Sequence, residues 1–115
     1  MRSDFQRLVA YRRACEVADE VHSFVARWPS FDRWTVGQQL VRALDSVGAN
    51  IAEASGRWHP ADRRRLLVIA RGSLYEVEHW LVRAESRGLP VPETNDRLGE
   101  VARALTGLIR RTRRT

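Results

Sequence analysis

Apolar residues recur at steps of three and four along most of the chain, the spacing that gathers side chains on one face of an α-helix. Between Phe5 and Trp28 they form two neighbouring stripes: Leu8, Tyr11, Cys15, Ala18, His22 and Val25 beside Ala14, Val17, Val21, Phe24 and Trp28. Together the stripes are wide enough for a helix that touches two neighbours at once. Pro29 ends this segment, and Cys15 and His22 on its apolar side read as a small core residue and a hydrogen-bonded core-edge residue.

The second segment opens on Thr35-Val36-Gly37-Gln38, which has the form of a capping box, and predicts a helix over about 36–55. Gly56 is expected to close it in a left-handed conformation. Leu40, Ala43, Leu44, Val47, Ile51 and Ala54 make its inner face, and Gln39, Arg42, Ser46, Asn50 and Glu53 make a polar stripe beside it. Its back, Gly37, Val41, Gly48 and Ala52, is small and apolar for a face meant to meet water. A third helix over 60–87 starts at Pro60, whose missing N–H costs nothing in a first turn, and stops at Gly88. Leu66, Ala70, Ser73, Leu74, Val77, Leu81 and Ala84 face inward, while Val68, Tyr75, His79 and Val82 form a second seam on the outer side. A stripe that a lone bundle cannot bury asks for a neighbour, so Val41, Gly48, Val68, Tyr75 and Val82 are candidate oligomer contacts. The fourth helix, over 93–111, carries Leu98, Val101, Ala102, Leu105, Leu108 and Ile109 on one face. No segment has a strand pattern. Four helices joined by short connections predict an all-α, antiparallel up-down-up-down four-helix bundle, with residues 1–115 as one domain.

Charge changes the picture by its distribution. All 20 basic residues are arginine, and the net charge is +6. Arginine suits bidentate phosphate recognition, while the absence of lysine also fits the codon bias of a GC-rich genome. Residues 1–56 balance seven arginines against seven acids, whereas residues 57–115 set thirteen against seven, so the whole excess lies in the second half. Arg63, Arg64 and Arg65 open the third helix beside Arg57 and Trp58, and Arg110, Arg111, Arg113 and Arg114 close the chain with no acid among them. These eight arginines are the candidate nucleic-acid contacts, as phosphate is the partner such a surface attracts. The competing reading is a pair of solvated helix ends, where arginine near a C-terminus also complements the helix dipole. No helix-turn-helix, finger or RNP pattern supports base-specific reading.

Catalytic and metal chemistry find little foothold. Arg42, Ser46, Asn50 and Glu53 share a face that Ser73 and Glu76 on the third helix are placed to meet. No nucleophile among them has a base at a suitable spacing, so they are expected to form a structural polar network in which Arg42 pairs with Glu53 or Glu76. A single cysteine and three scattered histidines lack metal-ligand spacing, so neither a metal nor a cofactor is expected. The start, Met1-Arg2-Ser3-Asp4, has no export pattern, and no apolar run is long enough to cross a membrane, which predicts a cytoplasmic protein.

The run from Gln39 to Arg57, with Asn50-Ile51-Ala52-Glu53 at its centre, and the run from Leu66 to Glu76, with Gly72-Ser73-Leu74-Tyr75-Glu76, resemble the four-helix bundle protein family of bacteria. That family includes proteins encoded by intervening sequences in 23S ribosomal RNA genes and the accessory protein of diversity-generating retroelements. The resemblance spans about Phe5 to Leu89; Ala54, where the family usually has Gly, and His59, where a Ser or Thr cap is common, depart from it. It implies a four-helix subunit that assembles into a ring-like homopentamer, is not an enzyme, and uses a basic surface to engage RNA or DNA and, in the retroelement case, a reverse transcriptase. The expected function is therefore phosphate binding by an arginine-rich oligomer. The alternative is a structural adaptor for a protein partner such as a reverse transcriptase.

Overall fold

A computed structural model describes residues 4–112. It is helical throughout, with no strand among the described residues. After a 3-10 turn at Asp4–Arg7 come four long helices: α1 (Val9–Val25), α2 (Gln38–Ser55), α3 (Pro60–Ser86) and α4 (Asn95–Thr112). The helices in contact are α1 with α2, α2 with α3, α3 with α4, and α1 with α4, which closes a circuit around a shared apolar interior. The helical bundle measures 47 × 28 × 20 Å.

The entry to α2 differs from its expected form. Pro29 does end the first segment, but helical structure resumes at once in the turn Ser30–Asp32 and a π-helical turn Arg33–Gly37 that runs straight into α2. Thr35 is therefore inside a helical stretch, its hydroxyl donating to the Phe31 carbonyl at 2.8 Å, and no side chain caps α2 at Gly37. The capping box does not form because Pro29, preset near helical φ, starts the helix six residues earlier. The wider π turn lodges Val36 and Gly37 in the interior. A Cβ built on Gly37 would stand 2.7 Å from Val25 Cγ1 and 3.0 Å from the Asp32 carbonyl oxygen, so only glycine fits there without displacement.

Helix α3 ends as expected, with Gly88 at φ 75°. The Leu89 N–H bonds the Ala84 carbonyl at 3.0 Å and the Gly88 N–H bonds the Glu85 carbonyl at 3.0 Å, a Schellman arrangement that also turns Leu89 into the core. Gly56, in contrast, has φ −89° and closes α2 in a right-handed conformation. Trp28 is buried, and its indole N–H donates to the Pro90 carbonyl at 2.9 Å, which ties the α1–α2 connection to the α3–α4 connection.

The core has two parts. One gathers Val21, Val25, Trp28, Val36, Leu40, Leu81, Ala84 and Leu89 near those two connections. The other gathers Ala10, Ala14, Ile51, Ala54, Leu66, Leu67 and Leu105, with Leu8, Leu108 and Ile109 half-buried against it. Two apolar expectations need correction. His22 is exposed, because the turn of α1 that carries it faces water beside Arg33 and Trp34 rather than a third helix. Gly48 is buried, and a Cβ placed there would meet Cys15 Sγ at 3.5 Å and Tyr11 Cε1 at 3.6 Å. The small back of α2 is thus the seat of α1, not a free face: α1 packs there, and Gly48 is unavailable to a second subunit. Val41 is half-buried at the same margin.

Candidate nucleic-acid interface

The second half of the core shows how the two arginine groups meet. Leu66 and Leu67 directly follow Arg63–Arg65, Leu108 and Ile109 precede Arg110 and Arg111, and all four pack into one apolar cluster. Arg57, Arg63, Arg64, Arg65, Arg110 and Arg111 therefore sit at one end of the bundle. Arg113 and Arg114 lie outside the described residues. Two further arginines join this end: Arg7, Arg103 and Arg111 line one surface depression of about 580 Å³ with Leu8, Val9 and Glu100. Sequence spacing alone did not reveal Arg7 or Arg103, since each stands isolated along the chain and only the packing of α1 on α4 brings them beside Arg111.

The charge is polarised along the bundle. Segments 4–13, 53–65 and 100–112, which flank the second core cluster, hold ten arginines against four acids. Segments 16–37 and 76–97, around the first cluster, hold five arginines against nine acids. One end is cationic and the other anionic, although the whole chain is basic.

The arginines are not equally free. Arg57 pairs with Glu53 at 2.6 Å and lies 3.6 Å from Asp62, and these contacts, the hydrogen bond to Glu53 foremost, hold its guanidinium above the usual arginine range. Arg65 pairs with Asp62 at 3.1 Å. Arg63 instead donates to the carbonyls of Arg57 at 3.0 Å and Trp58 at 2.8 Å, bracing the α2–α3 turn while keeping its charge uncompensated. Arg64 has its Nε buried without a hydrogen-bond partner among the described residues, a cost tolerated only if the rest of the guanidinium is well solvated or engaged. Arg103, Arg110 and Arg111 are exposed, and no acid pairs with them among the described residues. Arg7 and Arg12 are exposed too and likewise pair with no acid among the described residues, so the uncompensated set at this end is Arg7, Arg12, Arg63, Arg64, Arg103, Arg110 and Arg111.

The polar stripe between α2 and α3 divides in two. Arg42 bonds Glu76 at 2.5 Å and Gln39 at 3.0 Å, and the Trp80 indole donates to the same Glu76 oxygen at 3.0 Å. Ser46 and Ser73 share a hydrogen bond at 2.6 Å, and Asn50 donates to the Ser46 carbonyl at 2.8 Å. Of the two partners open to Arg42, the fold selects Glu76; Glu53 turns to Arg57 and stands apart from the network. The Arg42 side chain is 57% exposed, so this is a solvated latch between two helices. Between α1 and α4, Arg13 meets Glu100 at 3.1 Å and Arg97 meets Glu20. Among the described residues no group of three or more His, Cys, Asp or Glu is placed to hold a metal ion.

The outer seam of α3 remains uncovered: Val68 is 45%, Tyr75 57% and Val82 57% exposed. Arg71 lies over the Tyr75 ring, 5.2 Å from its centroid. Tyr75 and Val82 also line a groove of about 620 Å³ between α3 and α4. No helix among the described residues is long and apolar enough to cross a membrane.

Residues 6–111 match the model of the 23S rRNA-intervening sequence protein family, and the chain belongs to that family. No curated protein matches its sequence. The family description names no enzymatic activity.

Proposed function

We propose that this protein is a non-catalytic, oligomeric nucleic-acid-binding protein that grips RNA or DNA phosphates with the arginine-rich end of its bundle and acts in the cytoplasm. The observation that carries the reading is the gathering of Arg63 and Arg64 from the start of α3 with Arg103, Arg110 and Arg111 from α4 on one end while the acids collect at the other. Such separation focuses a positive field on one surface and attracts a polyanion without reading its bases. The subunit is an antiparallel up-down-up-down four-helix bundle. Residue numbers fall on one helix as they rise on its neighbour: Arg13 meets Glu100 and Glu20 meets Arg97, while Arg42 meets Glu76 and Ser46 meets Ser73. Membership in a family named for a ribosomal RNA insertion agrees with an RNA ligand.

The assembly is a homopentameric ring, as the family resemblance implies, and the uncovered seam of Val68, Tyr75 and Val82 supplies an apolar contact for it. Five copies carry a charge of about +30, which multiplies a modest patch into a strong anion-binding field. The test is binding of labelled RNA by the Arg64, Arg103, Arg110 and Arg111→Gln variant, with Arg83 and Arg87→Gln at the opposite end as control. Loss of binding in the first and retention in the second is expected; equal loss in both contradicts an end-specific surface. The same exposed seam also suits an adaptor whose partner is a protein such as a reverse transcriptase. Capture that survives nuclease treatment favours the adaptor.

A further inference from the structure

Trp58 is 92% exposed, the most exposed of the large apolar side chains. It stands on the short turn between α2 and α3, and that turn is held in place: Arg63 donates to the carbonyls of both Arg57 and Trp58. No ring or cation covers the indole among the described residues. An indole presented to water on a braced turn forgoes the large burial gain that usually decides where tryptophan goes. Two other tryptophans of the chain behave conventionally: Trp28 is buried and bonded to Pro90, and Trp80 is half-buried and bonded to Glu76. Trp34, 68% exposed, belongs to the anionic end, where a phosphate chain is repelled.

We infer that Trp58 is a stacking platform for an unpaired nucleobase, which makes single-stranded RNA or DNA the preferred ligand of the cationic end. The inference rests on the nucleic-acid reading above and adds the class of ligand to it. Every base has a π-face, so an aromatic platform flanked by arginines binds single strands with little regard to sequence. Arg63, whose charge no acid compensates among the described residues, donates to the carbonyl of Trp58 itself, so a cation is held on the turn that carries the ring and can meet a phosphate while the base lies on the indole. A duplex keeps its base faces stacked inside and reaches only the arginines, so it gains the phosphate contacts alone.

Fluorescence anisotropy with a uridine or thymidine single strand of about 12 nucleotides, matched to known single-strand site sizes, and a mixed-sequence duplex of the same length tests this. Wild-type protein is expected to favour the single strand. Trp58→Ala is expected to weaken the single strand by about 5-fold or more, the range set by base–aromatic stacking, with the duplex changed less than about 2-fold. Trp58→Phe keeps most of the affinity, and Trp34→Ala leaves both ligands unaffected. Unchanged single-strand binding by Trp58→Ala, or an equal loss on both ligands, overturns the stacking role while leaving the phosphate-binding surface standing. Failure of wild-type protein to bind either ligand at low salt overturns both. Because the ring touches little of the fold, circular dichroism of Trp58→Ala should match wild type, which separates a lost platform from a lost structure.

Discussion

Replacing Gly37 and Gly48 by alanine, one at a time, probes how α1 and the turn before α2 seat against the bundle. Both residues are buried, both have helical backbone or lie in a helical turn, and both gain about 1 kcal/mol of helix propensity on conversion to alanine. They differ in what the new methyl meets. At Gly48 the Cβ finds Cys15 Sγ at 3.5 Å and Tyr11 Cε1 at 3.6 Å, ordinary contact distances, so the propensity gain survives and Gly48→Ala is neutral to about 1 kcal/mol stabilising. At Gly37 the Cβ stands 2.7 Å from Val25 Cγ1 and 3.0 Å from the Asp32 carbonyl oxygen. Val25 is buried, Trp28 Cε3 stands 3.4 Å from the same Cβ, and the carbonyl belongs to the backbone just before the π turn, so neither contact can give way freely. Overpacking costs about 1–3 kcal/mol; with one contact at 2.7 Å and a backbone oxygen at 3.0 Å the upper part of that range, about 2–3 kcal/mol, applies, and the gain of about 1 kcal/mol leaves Gly37→Ala destabilised by about 1–2 kcal/mol. Urea unfolding of the three proteins at one fixed concentration, which holds any subunit linkage constant, reads the difference from the midpoints. Gly37→Ala as stable as wild type, or Gly48→Ala losing more than about 2 kcal/mol, the scale of a severe overpacking defect, refutes the placement of α1 on the back of α2.

Further outcomes follow from other contacts. Trp28→Phe removes the indole donor from its part-buried bond to the Pro90 carbonyl, so thermal or urea unfolding should show a loss of about 1 kcal/mol. Ser46→Ala and Ser73→Ala, combined in a double-mutant cycle, should show a coupling of about 1 kcal/mol or less, because this hydrogen bond lies in a half-exposed latch. Val82→Asp places a charge in the uncovered seam of α3. Light scattering should then report a smaller species than wild type, with helical content unchanged; a wild-type protein that runs as a 13.2 kDa monomer contradicts the ring.

The helices were legible because amphipathic periodicity is a property of each segment alone. The starts and stops of α3, set by Pro60 and Gly88, follow from backbone chemistry that those two residues carry with them. The stretch between Pro29 and Gln38 was not legible, since Phe31 and Trp34 are apolar yet exposed and break the periodic pattern just before and within the π turn, which shifts the phase by one residue. Which apolar face meets which neighbour is likewise a property of the assembled bundle. The rows of α2 bearing Gly48 and of α3 bearing Val82 looked alike as sequence, but α1 covers the first and leaves the second open. The same holds for the arginines. Their number in the second half of the chain was plain, but Asp62 and Glu53 engage Arg57 and Arg65, and the gathering of Arg103 with Arg111 needs the fold.

The central claim, a phosphate-gripping cationic end, is tested most directly by the salt dependence of single-stranded RNA affinity for wild-type protein and for the Arg64, Arg103, Arg110 and Arg111→Gln variant. Each phosphate neutralised on a single strand contributes about −0.7 to the slope of log affinity against log salt. The account predicts a steep wild-type slope that becomes shallower by about 3 when these four charges are removed. A wild-type slope near zero, or the same slope in both proteins, would contradict it.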